Sequence, residues 1–89
     1  MTVERTVRLV NKLGLHVRPA AKIAELASKY KSEIFIIKDT QQVNAKSIIE
    51  LLTLAAPCGT LLTIQSSGDD AENVINAIQQ LINGKFGEE

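Results

Sequence analysis

The strongest constraint on folding in this 89-residue sequence is the stretch 69–84. Ala71, Val74, Ile75, Ile78, Leu81 and Ile82 recur there at helical spacing, and Gly84 closes the run. A helix with so continuous an apolar stripe must lay it against a second layer, because water on that face would cost the burial energy of every one of those side chains. Asp69-Asp70-Ala71-Glu72 supplies the N-capping side chains that start it.

Short β-type segments supply the second layer. Residues 2–10 alternate, with Val3, Val7 and Leu9 on one side and Thr2, Glu4, Thr6 and Arg8 on the other, the pattern of a half-buried strand. Residues 33–38 contain Ile34-Phe35-Ile36-Ile37, a run short and β-branched enough for a buried strand, and Asp39 to Gln42 read as a turn into a brief partner ending near Asn44. Residues 61–66 alternate again, with Leu62 and Ile64 opposite Thr63 and Gln65. Between the first two strands, Ala20, Ile23, Ala24, Ala27 and Tyr30 predict a first helix reaching about Tyr30. Ser47 and Glu50 have the spacing of a capping box, so a short second helix starts at Ser47, carries Leu51, Leu52 and Leu54, and stops at Pro57 and Gly59. The order is βαββαβα. The layer rules make it an α+β domain spanning residues 1–89, one antiparallel sheet with helices on one face.

A chain of this size with 45% hydrophobic residues forms a core but no deep enclosed cavity, which puts function on the surface. Ten basic and ten acidic side chains cancel, so net charge predicts neither nucleic acid nor an anionic membrane as partner. The charges are unevenly spread. Arg5, Arg8, Lys12, Arg18, Lys22, Lys29, Lys31, Lys38 and Lys46 all precede Ser47, a basic half suited to acidic partners. Cys58 is the sole cysteine and His16 the sole histidine, which excludes an internal disulfide and makes zinc ligation an unexpected use of either. No run approaches the roughly 18 apolar residues of a membrane span, and the N-terminal residues lack a signal-peptide core, so a cytoplasmic location is expected.

The one segment with chemistry in it is Gly14-Leu15-His16-Val17-Arg18-Pro19-Ala20-Ala21. It sets the histidine at a helix start beside an arginine and a proline. The first amides of a helix have no intrahelical partner and carry a positive partial charge, so an anion finds donors there. Pro19 has a φ already suited to a helix start. Arg18 adds a planar cation that binds phosphate oxygens. His16 can therefore hold a phosphate that its own helix stabilises, although a lone histidine in such a short segment is more often a plain surface or capping residue.

That segment, together with Val43-Asn44-Ala45-Lys46-Ser47-Ile48-Ile49, resembles the two signatures of HPr, the histidine-containing phosphocarrier family of the bacterial phosphoenolpyruvate-dependent phosphotransferase system. The resemblance implies an open-faced β-sandwich, a four-stranded antiparallel sheet covered on one face by three helices. It implies that His16 accepts phosphate on Nδ1 from phosphorylated enzyme I and passes it to an EIIA domain for carbohydrate uptake, with Arg18 steadying the phosphate. It makes the chain a stoichiometric carrier, not an enzyme, monomeric as family members usually are, with neither cofactor nor metal. Ser47 matches the family's regulatory serine, the substrate of HPr kinase/phosphorylase, whose modification serves a transcriptional regulator. Ile48, Ile49 and Leu52 match its apolar docking patch. Two other readings are a regulatory, nitrogen-type phosphocarrier that moves no sugar and an interaction module working through the Ser47 face. The chain departs from the family pattern at Val17, where alanine is usual, at Glu50, where glycine is common, and at Pro57-Cys58-Gly59, which lacks the usual lysine.

Overall fold

The computed structural model describes residues 1–88. Four strands, β1 (Thr2–Arg8), β2 (Glu33–Lys38), β3 (Gln41–Asn44) and β4 (Leu61–Ser67), form one antiparallel sheet in the order β1-β4-β2-β3. Three helices, α1 (Val17–Ala27), α2 (Ile48–Leu52) and α3 (Ala71–Asn83), complete the open-faced β-sandwich. Each strand contributes alternate residues to the interior: Val7, Ile34, Ile36, Val43, Leu62 and Ile64 are all buried and meet Ile23, Leu51, Val74, Ile75, Ile78 and Ile82 from the helices.

Several sequence expectations shift. β1 ends at Arg8, not at residue 10, although Leu9 still exchanges bonds with the loop before β4, its amide 2.9 Å from the Thr60 carbonyl and its carbonyl 2.7 Å from the Gly59 amide. Helix α1 stops at Ala27, short of Tyr30, where a tighter turn takes over: the Lys29 and Tyr30 amides bond carbonyls three residues back. Of the run 34–37 only Ile34 and Ile36 are buried, because a strand covered on one face turns every second side chain outward; Phe35 and Ile37 lie half-buried on the open face. Helix α2 has only five residues, since Thr53 to Ala55 complete it with three-residue bonds.

The start of α3 also differs. Asp70 stands at the N-cap position, yet its side chain makes no capping bond. Its carboxylate instead accepts from the Lys31 amide at 2.9 Å, the Ser32 amide at 3.0 Å and the Ser32 hydroxyl, tying the α1–β2 connection to the start of α3. The Ser32 hydroxyl and the Lys31 amide hold the Asp70 carboxyl below its ordinary value. Gly68 is required beside it: its φ is +144°, and a Cβ there would meet Ser32 Oγ at 2.5 Å. Arg5, on the helix-facing side of β1, reaches α3 and donates to Gln79 Oε1 at 2.8 Å and to Asn76 Oδ1.

Candidate functional site

The loop between β1 and α1 is held from three directions. Asn11, wholly buried, donates through Nδ2 to the Gly14 carbonyl at 2.7 Å, and the Gly14 amide returns a bond to the Asn11 carbonyl at 3.2 Å. Gly14 has φ +71°, and a Cβ on it would run into the Ala56 carbonyl and lie 2.8 Å from Pro57 Cα. Leu15 is buried and its amide bonds Ala56 O at 2.9 Å. The departure at Pro57-Cys58-Gly59 thus abuts the loop that carries the histidine, with Cys58 exposed and unpaired.

His16 emerges from that loop as the N-cap of α1 in extended conformation, and its carbonyl receives the Ala20 amide at 3.0 Å. Its ring makes no capping bond, so the amides of Val17 and Arg18 are left for an incoming anion. Pro19 is the third helical residue, within the first turn as the sequence suggested. It costs nothing there, since the amide it lacks has no intrahelical carbonyl to bond. Arg18 is exposed next to the histidine.

The partner that the sequence did not reveal is Glu88. Its Oε2 lies 2.9 Å from His16 Nε2, and its Oε1 accepts from Asn11 Nδ2 at 3.2 Å. Burial alone would raise the Glu88 carboxyl, but the bonds from Asn11 and His16 and the charges of His16 and Arg18 together bring it below its ordinary value. A turn over Lys85–Gly87 carries it there: Phe86 is buried, Lys22 Nζ donates to the Phe86 carbonyl, and the Glu88 amide bonds Lys85 O at 2.9 Å. Lys85 and Phe86 both have φ +57°, a left-handed course costing about 1–2 kcal/mol per residue. Burying the Phe86 ring returns about 1.5–3 kcal/mol. The one local signal that could have found it is Phe86, a lone aromatic beyond Gly84.

His16, Arg18, Lys12, Leu13 and Glu88 line one open cleft of about 370 Å³. Ser47, Ile48 and Ile49 lie elsewhere, lining with Lys22, Glu25 and Lys46 a groove of about 680 Å³ between α1 and α2. Ile49 is 78% exposed and Ile48 40%, whereas Leu52, matched with them from sequence, is half-buried and packs on the core. Ser47 is the N-cap of α2: its Oγ accepts the Glu50 amide at 3.2 Å. The second half of the expected capping box is absent. The Ser47 amide already bonds Asn44 O at 3.1 Å, so the Glu50 carboxylate reaches past it to the Asn44 amide at 3.0 Å. The basic half is also more engaged than its composition implies, with Arg8, Lys38 and Lys46 donating to backbone carbonyls. Among the described residues no three His, Cys, Asp or Glu side chains are placed to hold a metal ion, and no helix is long and apolar enough to cross a membrane.

Residues 3–84 match the family model described as the PTS HPr component phosphorylation site. The chain is 44% identical over 87 residues to the phosphocarrier protein HPr of Treponema pallidum (strain Nichols), covering 98% of this chain and 99% of that one. It is 41% identical over 86 residues to the phosphocarrier protein NPr of Shewanella violacea (strain JCM 10179 / CIP 106290 / LMG 19151 / DSS12), covering 97% and 94%. Among solved structures, the HPr-C-His crystal structure from Thermoanaerobacter tengcongensis superposes with a TM-score of 0.94 at 45% identity, over 98% of both chains.

Proposed function

The chain belongs to the HPr family of phosphotransferase-system phosphocarriers, and from that premise we propose that it takes phosphate on His16 from phosphorylated enzyme I and passes it to an EIIA domain. The observation that carries this reading is the division of labour on the His16 ring. Nε2 is engaged by Glu88 at 2.9 Å, which leaves Nδ1 as the nitrogen with an available lone pair at the mouth of α1. A phosphate bound there meets the Val17 and Arg18 amides, the helix dipole and the Arg18 guanidinium. The protein supplies nucleophile and anion clamp and leaves the electrophile and its activation to partners, which makes it a carrier consumed and regenerated in each cycle, not an enzyme. Ile48 and Ile49, exposed on α2, form the apolar part of the docking surface, and Ser47 is the family's modifiable serine.

The test is incubation with phosphoenolpyruvate and the cognate enzyme I. Acid-labile phosphate should appear on the wild type and not on His16→Ala, and should pass to EIIA. Label on the alanine variant would overturn the assignment.

A second reading is a regulatory carrier of the nitrogen-related branch, favoured by the 41% identity to an NPr protein. Transfer to a nitrogen-type EIIA at a rate well above that to sugar-specific EIIA domains would select it.

A further inference from the structure

We propose that Glu88 is a positioning residue for phosphoryl transfer, holding the His16 ring in the tautomer that leaves Nδ1 free to react. The inference rests on the reading of His16 as phosphate acceptor and adds to it a residue from the far end of the chain.

The geometry is that of a carboxylate–histidine pair. Glu88 Oε2 stands 2.9 Å from Nε2, within the range of a charge-assisted hydrogen bond. An ionised carboxylate can only accept, so the ring nitrogen facing it must carry the proton. The other nitrogen, Nδ1, then holds the lone pair. Without such a partner both tautomers of a neutral imidazole are populated, and the one protonated on Nδ1 cannot attack through that nitrogen.

Glu88 is itself held, which separates it from a loose surface carboxylate. Its other oxygen accepts from Asn11 Nδ2 at 3.2 Å, and Asn11 is wholly buried with the same Nδ2 bonded to Gly14 O at 2.7 Å. Asn11 Oδ1 has no partner among the described residues. A buried amide that leaves its acceptor unpaired while its donors serve the histidine loop and the carboxylate is placed for those two bonds. On the other side, buried Phe86 and the Lys22 bond to its carbonyl fix where residue 88 leaves the core.

In the transfer step the Nδ1 lone pair attacks phosphorus, a new N–P bond forms, and the bond from phosphorus to the donor's leaving atom breaks with its electron pair going to the donor. The Nε2 proton stays on the ring throughout. The ring therefore gains positive charge as the bond forms, and the Glu88 carboxylate stands where that charge is met.

The experiment uses the full chain with cognate enzyme I and phosphoenolpyruvate, and reads two quantities for wild type, Glu88→Gln and Glu88→Ala: the ¹⁵N chemical shifts of the unphosphorylated His16 ring and the rate of His16 phosphorylation. Wild type should show the Nε2-protonated tautomer. Glu88→Ala should show a mixture with the Nδ1-protonated form and a rate about 10- to 100-fold lower, the scale seen when an orienting partner of a ligating histidine is removed. Glu88→Gln keeps an acceptor for Nε2–H without the charge, so it should retain the tautomer and lose only part of the rate. Unchanged ring shifts and rate in Glu88→Ala would overturn the inference while leaving His16 as the acceptor. So would a lower melting temperature with the tautomer and rate unmoved. Absence of phosphohistidine in the wild type would instead overturn the functional reading beneath it.

Discussion

The Glu50 carboxylate bonds the backbone amide of Asn44 at 3.0 Å, spanning the junction between β3 and α2 with Ser47 inside the loop it closes. Ser47 contributes its hydroxyl to the Glu50 amide at 3.2 Å and its own amide to the Asn44 carbonyl at 3.1 Å. Three bonds thus make residues 44–50 one unit, and Ser47, proposed above as a modifiable serine, sits in it beside a carboxylate.

Phosphate on Ser47 would bring a charge of about −1.5 to −2 next to that carboxylate. The helix amides favour the phosphate, while Glu50 opposes it. Phosphorylation by an HPr kinase should therefore raise the melting temperature less in the wild type than in Glu50→Gln, which keeps an acceptor for the Asn44 amide without the charge. Equal shifts in the two proteins, with equal labelling, would remove Glu50 from the regulation of this serine.

His16→Ala should abolish phosphate transfer with little loss of stability, because the ring caps no helix amide and lies partly exposed. The expected melting-temperature change is below about 5 °C, the response of a domain this size to less than ~1 kcal/mol. Arg18→Lys should transfer more slowly without losing transfer, since lysine keeps the charge and loses the planar fork.

The two faces of α2 should separate binding from folding. Ile49→Asp, at a side chain 78% exposed, should weaken enzyme I binding by about 1–3 kcal/mol with an unchanged circular dichroism spectrum. Leu51→Ala, two residues further on the opposite face and fully buried, should cost about 2–5 kcal/mol of stability in a denaturant titration.

Acid should loosen the tie between Asp70 and the α1–β2 connection. The folded state holds the Asp70 carboxyl below its ordinary 3.8, so the contribution is fully present above that value and is lost as pH falls through the lower folded value. Glu88, also held below its ordinary value, acts in the same direction. Thermal melts of the wild type should be flat toward neutrality and fall below about pH 4, the range in which an unfolded aspartate takes up its proton. Asp70→Asn should start lower at neutral pH and fall less steeply. Parallel curves would assign the acid sensitivity to other carboxylates.

Gly14→Ala should damage both stability and transfer. The new Cβ would meet the Ala56 carbonyl and Pro57 at a backbone with φ +71°, which costs more than about 1 kcal/mol before any displacement of the His16 loop. Normal transfer rates in a destabilised variant would show that the loop tolerates the shift.

The α3 stripe, the alternating strands and the Ser47 cap could all be read from spacing, because each depends on residues a few positions apart that share one face or one turn. The same holds for the helix start at His16, whose loop, proline and small residues lie within eight positions. Element ends were less legible. Tyr30 keeps the helical period of α1 yet falls in a three-residue turn, and Phe35 and Ile37 look like core until the sheet is seen to be covered on one face only.

What the sequence by itself determined was the order of elements, the fold they make and the histidine proposed to carry phosphate. Tertiary structure alone decided that residue's partners. Glu88 meets His16 across 72 positions because Phe86 is buried and turns the tail back; Asp70 abandons its own helix for Ser32, 38 positions away; Glu50 passes over Ser47 because Asn44 O already holds the serine's amide. Carboxylates have no periodic signature. They settle on whichever donors the packed chain leaves unpaired nearby, and that becomes known only when the layers have closed.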